Sequence, residues 1–333
     1  GFPMKFLSPV LKDLESIEMP NYNKEALKRK DFRGTTTFTI DPADAKDFDD
    51  ALSFKKIDEE SFEVGVHIAD VGHFVKEKSV IDNEAFQRGN SVYLVDRVIP
   101  MLPEKLSNEL CSLRPKEDKL TFSVVFKINI KGEIKDTWFG KTVIHSNQRF
   151  TYEQAQEIIE GEKHEFSNEI TTLNTIAKTV RKKRLNNGAL NIESSEVRFQ
   201  LNDDGFPVGT FIKVSKEAHQ LIEEFMLLAN QYVAMRMGKP QKNKLIAPFI
   251  YRIHDDPNEE KLNDLKIYLN AMGYELIRVK NKPISFSLNE VMKKAKEKKE
   301  LHLIAPMVIR SMSKAVYSSD NIGHYGLAFQ YYT

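Results

Sequence analysis

The sequence predicts an α+β fold, with mixed, largely antiparallel sheets flanked by helices. Three observations carry that prediction. Extended segments with period-two alternation come as neighbouring pairs in the first half of the chain, helical periodicity takes over from about residue 151, and the two kinds are clustered. A regular parallel sheet would need a crossover, usually a helix, between successive strands.

Residues 1–33, with Pro3, Pro9, Pro20 and the basic run Lys28-Arg29-Lys30, read as a lead-in segment packed on one main domain spanning 34–333. Thr35-Thr36-Thr37-Phe38-Thr39-Ile40 alternates with period two and predicts a strand, and Ala51-Leu52-Ser53-Phe54 resumes extended structure. In the next strand Phe62, Val64, Val66 and Ile68 share one face. Segments 120–130 and 133–143 predict a strand pair turning at Lys131-Gly132. Thr151-Tyr152-Glu153-Gln154 is a capping box that starts a helix ended by Gly161. Ile170, Leu173, Ala177 and Val180 stripe the following helix, which stops near Gly188. Leu221, Ile222, Phe225, Leu228, Ala229 and Tyr232 mark another, between strand-like segments at 208–214 and 245–252. The last third predicts helices at 259–272, 288–298 and 306–317, and no internal repeat, low-complexity linker or second core is evident.

With 49 basic against 48 acidic residues the net charge is only +1, so any attraction to a polyanion has to come from basic walls along one channel. The single Cys111 excludes an internal disulfide and a cysteine-rich zinc site, fits a reducing compartment and suits core packing. The opening Gly1-Phe2-Pro3-Met4-Lys5-Phe6 lacks a long apolar run, and no stretch approaches the roughly 20 apolar residues that span a bilayer. A soluble, cytoplasmic protein without a membrane partner is the expectation.

Five carboxylates fall within ten residues at Asp41-Pro42-Ala43-Asp44-Ala45-Lys46-Asp47-Phe48-Asp49-Asp50. Side chains this close repel one another and raise each other's pKa unless a cation neutralises them. Oxygen-only ligands point to a hard ion, Mg²⁺ or Mn²⁺, and away from zinc. A solvated acidic loop is the competing reading. The flanking strands pin the loop at both ends and favour the metal site, with Phe48 and Ala51 turned into the core.

The order Ile-Asp-Pro-x-Asp-Ala-Lys-Asp-Phe-Asp-Asp-Ala, followed by Val66-His67-Ile68-Ala69-Asp70-Val71 and Ile99-Pro100-Met101-Leu102-Pro103, closely resembles the ribonuclease II and ribonuclease R family. Further matches run through Leu106-Ser107-Asn108-Glu109-Leu110-Cys111-Ser112-Leu113 to Gly323-His324-Tyr325-Gly326-Leu327-Ala328, and the wording Asp-Ala-Lys-Asp-Phe-Asp-Asp is nearer to ribonuclease R. The resemblance implies the RNB catalytic fold and a processive 3′-to-5′ hydrolytic exoribonuclease. Such an enzyme releases nucleoside 5′-monophosphates from single-stranded RNA ends with Mg²⁺, for which Mn²⁺ can substitute.

Residue by residue, the resemblance assigns Asp41, Asp47 and Asp50 to the metal ligands. Asp49 is assigned to catalysis, through a second metal or the attacking water. Asp44 is an extra acid outside the pattern. Tyr93, in isolation an ordinary core aromatic, matches a tyrosine that stacks on a base at the RNA end. Phe199 is a second aromatic to weigh. Glu223 and Glu224 are a solvated helix edge on composition, but the family has an acid in this place that holds a ribose hydroxyl, and which of the two matches it stays open. Arg97, Arg114 and Tyr251-Arg252-Ile253-His254 suit either phosphate or local ion pairs. The basic runs 181–184 and 293–299 read as solvated helix faces, and His67, His73 and His324 as packing residues. The family further implies a monomer, RNA-binding barrels in a longer parent chain and an arginine-bearing segment after Thr333, so the chain is expected to be a truncated catalytic domain.

Two other readings stand beside this one. A catalytically impaired RNA-binding module of the same fold would have lost a metal-binding aspartate, whereas all four are present here. A phosphatase with an aspartyl nucleophile would predict a parallel sheet with a downstream lysine and a second acidic motif in the matching arrangement, and that arrangement is not seen.

Overall fold

Strands with apolar residues on both faces have to be covered on both sides, and the sequence supplies several. The computed structural model describes residues 3–192, 196–240 and 248–333. It divides into two units, Gly1–Ile176 with Glu196–Ile222 and Ala177–Ser195 with Glu223–Thr333.

The first unit opens with helices α1 (Ser8–Glu15) and α2 (Tyr22–Ala26), then strands β1 (Lys30–Asp31), β2 (Thr36–Asp41), β3 (Asp50–Lys56) and β4 (Ser61–Ala69). Helices α3 (Val71–Phe74) and α4 (Val80–Arg88) lead to a small ribbon, β5 (Val92–Tyr93) with β6 (Val98–Ile99), and a π-helix at Lys105–Leu110. Strands β7 (Asp118–Asn129), β8 (Ile134–His145) and β9 (Gln148–Thr151) complete a seven-stranded sheet in the order β1-β8-β7-β4-β3-β2-β9. Its inner pairs are antiparallel; β1 on β8 and β9 on β2 are parallel.

The largely antiparallel α+β fold of the sequence reading is therefore found. Strand β4 lies at the centre and is buried on both faces: Val64 and Val66 on one, His67 on the other, its ring between the hydroxyls of Ser53 and Ser123 at 2.8 and 2.7 Å. Ile68 departs from the expected buried face and is 43% exposed, since it stands at the strand end and lines a cleft. The β7–β8 turn takes Gly132 to φ +66°, a conformation that glycine adopts without a Cβ clash. Val10 and Leu14 of α1 are buried in the same core as Ile81, Leu106 and Ile144.

The predicted capping box is formed: Thr151 and Gln154 satisfy each other's backbone amides at the start of α5 (Tyr152–Ile159). Helix α6 (Ser167–Asn186), the ribbon β10 (Glu196–Leu201) with β11 (Pro207–Lys213), and helix α7 (Glu217–Gly238) follow. Both α6 and α7 run through the division between the units.

The second unit adds β12 (Tyr251–Ile253), α8 (Glu259–Ala271), α9 (Ile284–Glu297), α10 (Leu301–Ser311) and β13 (Val316–Ser318). Leu265, Leu269, Leu288, Ala295, Ile304 and Val308 form a core of their own, so a second core exists that the sequence reading did not find. The helix expected at 306–317 sits at Leu301–Ser311, with Pro306 inside it. Proline suits a first helical turn, which is why the sequence places the start there, yet this one is tolerated inside the helix. The stretch expected to finish that helix instead pairs with β12, Tyr251 opposite Ser318 and Ile253 opposite Val316. Of the strand expected at 245–252, residues 245–247 lie outside the described residues.

Candidate active site

The acidic loop joins β2 to β3, so Asp41 closes one strand and Asp50 opens the other. Phe48 and Ala51 are buried, as expected, whereas Asp49 between them is exposed. Arg149, on β9 beside β2, donates from Nη2 to the carbonyls of Pro42 and Ala43 and lies 5.4 Å from the Phe48 ring centroid.

Asp44, Asp47 and Asp49 line one cleft of about 880 Å³ together with Tyr93, Ser107 and Asn108. Tyr93 is 69% exposed on β5, where a core role would have hidden it. Burial, then the charges of Asp47 and Asp49, raise its phenol above the usual range. Asp41 is 7% exposed, and its Oδ2 is buried without a hydrogen-bond partner. Burial, reinforced by Asp50 and Asp49 and opposed by the nearby Thr39 hydroxyl and by Arg149, pushes its carboxyl up to about 7. Asp50 is raised to about 6 by burial and then by Asp49, and Asp49 is raised by burial and then by Asp47. The predicted ligands thus form a chain of mutually repelling charges running from Asp41 to Asp47.

Among the described residues no group of three His, Cys, Asp or Glu side chains is gathered tightly enough to hold a metal ion. Of the four predicted ligands, Asp47 and Asp49 reach the cleft lining; Asp41 and Asp50 are not part of it. The donor chemistry nevertheless fits a hard divalent cation. All the donors are carboxylates, neighbouring charges raise the pKa of Asp41, Asp49 and Asp50, and a buried oxygen of Asp41 has no hydrogen-bond partner.

In the second unit the two glutamates of α7 have different surroundings. Glu224 is 2% exposed and is bonded to Arg184 Nη2 and Nε and, at 3.0 Å, to Arg181 Nη1. Glu223 keeps a half-exposed carboxylate 3.6 and 3.7 Å from the same two guanidinium groups. The run at 181–184 is therefore not a simple solvated face: Arg184 is buried, because it neutralises Glu224.

Several of the other residues weighed in the sequence make local contacts. Arg97 pairs with Asp96, Arg114 with Glu117 at 3.4 Å, and Arg252 lies 4.7 Å from the Tyr317 ring centroid. His73 meets Arg29 at 3.2 Å, and His324 packs on His254 with ring centroids 4.9 Å apart. Cys111 is buried. Phe199 stands half-exposed on β10 opposite Thr210.

Sequence reading missed Arg149 and Tyr152. Tyr152, stacked on His219 at 4.0 Å, has its phenol pushed up to about 12 by burial and then by the charges of Asp50 and Asp41. Both residues come to the acids through the parallel pairing of Asp41 with Thr151, which no local periodicity signals.

The RNB domain pattern matches residues 29–333 of the chain. Ribonuclease R of Thermotoga maritima is 40% identical over 339 residues, covering 99% of this chain and 47% of that protein. The solved Mycoplasma genitalium RNase R in complex with ribose-methylated single-stranded RNA superposes with a TM-score of 0.90 at 25% identity, over 100% of this chain and 52% of that one. Yeast Ssd1, described as a pseudonuclease, shares the fold with a TM-score of 0.73 at 20% identity, over 96% of this chain and 40% of its own. The chain spans about half the length of the ribonuclease R relatives.

Proposed function

Because the chain belongs to the RNB-domain family of exoribonucleases, we propose that it carries the catalytic part of a processive 3′-to-5′ exoribonuclease that releases nucleoside 5′-monophosphates from single-stranded RNA, using Mg²⁺ or Mn²⁺. One observation carries this reading most: Asp47 and Asp49 line the same cleft as an exposed tyrosine, so acid and stacking platform meet in one concavity. Asp41, Asp47, Asp49 and Asp50 would hold divalent ions, which when bound supply charge stabilisation at the scissile phosphate and activation of water.

The chain's own residues do the rest. Tyr93 offers a π-face to any base, which suits an enzyme indifferent to sequence. Phe48 and Arg149 tie the loop to the sheet and so hold the backbone that bears the carboxylates. Of the two glutamates, Glu223 has the accessible carboxylate that can accept a hydrogen bond from a ribose 2′-hydroxyl. Glu224 is committed to its arginines and holds α7 in place.

The test is a 5′-labelled single-stranded RNA given to the chain with Mg²⁺, beside the same sequence closed into a circle. A ladder shortening from the 3′ end, with monophosphates released and the circle intact, is expected. Cleavage of the circle at a comparable rate would rule out an exonuclease.

A second reading is supported by a specific observation. The acids are not gathered into a closed metal-binding group among the described residues, and a pseudonuclease shares the fold. An RNA-binding module would bind the linear RNA without shortening it at any Mg²⁺ concentration.

A further inference from the structure

The stretch Leu106-Ser107-Asn108-Glu109-Leu110-Cys111-Ser112-Leu113 is prominent in the sequence, yet the proposed chemistry gives it no role. The structure gives it an unusual backbone. Residues Lys105–Leu110 form a π-helix, closed at its end by the amide of Cys111 on the carbonyl of Leu106 at 2.9 Å. Such turns are rare and recur at functional sites. This one is held from below. Leu106, Leu110 and Leu113 are buried, and the ammonium of Lys119, 2% exposed, donates to the carbonyl of Glu109 and pairs with Glu117 at 2.9 Å.

The residues just after the π-helix meet the acidic loop. Ser112 is fully buried. Its Oγ donates to the carbonyl of Lys46 at 2.9 Å and accepts from the amide of Phe48 at 3.0 Å, while the Leu113 amide donates to the carbonyl of Phe48 at 2.8 Å. Three hydrogen bonds thus grip the backbone around Asp47, Phe48 and Asp49. With the Phe48 ring in the core, the two aspartates on either side of it are left to line the cleft.

We propose that Ser112 is a positioning residue: through the carbonyl of Lys46 and the amide of Phe48 its hydroxyl fixes the backbone that carries Asp47 and Asp49, and so sets where those carboxylates stand for a divalent ion. The proposal rests on the reading that these aspartates bind metal. A buried serine is more often a satisfied polar group with only a structural duty, as Ser53 is beside His67. Ser112 differs because both of its partners belong to the loop that bears the acids. Alanine there would strand the buried amide of Phe48 and free the part-buried carbonyl of Lys46 from the loop's anchor. The loop would then settle where its own repulsion takes it.

The experiment titrates the 333-residue chain with Mn²⁺ and reads free Mn²⁺ by electron paramagnetic resonance, so it does not depend on turnover. Ser112→Ala should weaken Mn²⁺ binding by about 10–100-fold, the range for groups that orient ligands, and Ser112→Cys by less. Ser53→Ala, an equally buried serine away from the loop, should lower the melting temperature without moving the Mn²⁺ affinity. Should the alanine protein not fold, the cysteine protein decides on the same titration. Wild-type Mn²⁺ affinity in both Ser112 variants, in an experiment where Asp49→Asn loses it, would overturn the positioning role and leave the metal site standing. Equal weakening by Ser53→Ala would also overturn it, by showing a general softening of the fold. If Asp49→Asn binds Mn²⁺ like the wild type, the metal reading itself fails and takes this inference with it.

Discussion

In the first unit Asp41, Asp49 and Asp50 stand against one another and each is raised above the ordinary carboxylate range, whereas in the second unit Glu224 is enclosed by Arg181 and Arg184. Both arrangements bury charge, and they balance it differently. The glutamate is neutralised inside the fold, so the second unit needs nothing from outside to keep α7 in register with α6. The aspartates carry repulsion that Arg149 offsets only in part and a buried oxygen without a hydrogen-bond partner, a state that a cation would relieve. A buried charge that is paired reads as architecture; one that is left unpaired reads as a binding site.

The comparison breaks most visibly if the unpaired acids prove dispensable. Asp49→Asn should cut RNA turnover by at least about 10²–10³-fold, the scale for losing one preorganised group, with RNA binding kept because removing negative charge cannot weaken attraction to a polyanion. Single-turnover cleavage and a separate binding isotherm check both halves. Near wild-type cleavage would return the loop to an ordinary solvated one.

The paired charge should show the reverse pattern. Glu224→Ala leaves the buried Arg184 with only the half-exposed Glu223 carboxylate 3.7 Å away and should cost up to about 3–5 kcal/mol of stability, measured by denaturant unfolding. Glu223→Ala, half-exposed and only 3.6 Å or more from the arginines, should stay within about 0.5 kcal/mol of wild type. Equal losses for the two would erase the distinction between them.

Tyr93→Ala should leave stability unchanged, since the ring is exposed, but should weaken RNA-end binding by about 1–3 kcal/mol and alter the length of the final product. An unchanged product ladder would remove Tyr93 from the site.

The smallest effect is a difference of sign in pH dependence, sought in protein stripped of metal. Asp41 has a folded pKa of about 7, above its unfolded value, so the folded unit holds the extra proton and the contribution of this group declines as pH rises from about 4 to 7. His324 runs the other way. Burial, then the neighbouring His254, depress its pKa to about 4, so its contribution is complete above the unfolded value near 6.5 and is lost as pH falls towards 4. Between these limits hydrogen exchange should show protection around Asp41 declining, and that around His324 increasing, as pH rises. The single Trp138, packed on the first unit's core, gives an independent fluorescence readout there. Saturating Mg²⁺ should flatten the first slope and leave the second alone; parallel slopes in both units would contradict the assignment.

The sequence by itself determined what is local. Alternation set the strand ending at Asp41 and the strands of the β7–β8 pair, the Thr151–Gln154 box placed the start of α5, and the wording around Asp41 to Asp50 carried the family and the acid set. Each is legible because periods of two and 3.6 residues, or a capping box four residues long, are written in neighbouring side chains. Tertiary structure alone decided the rest. Whether Tyr93 was core or cleft, and which glutamate was buried, depended on partners dozens of residues away. Residues 316–318 read as the end of a helix until β12 offered a strand to pair with. Arg149 and Ser112, which hold the two halves of the acidic loop, lie 107 and 66 residues from Pro42 and Lys46 in sequence. Pairings at that range are chosen by the global competition for burial and hydrogen bonds, and a local pattern carries no record of its outcome.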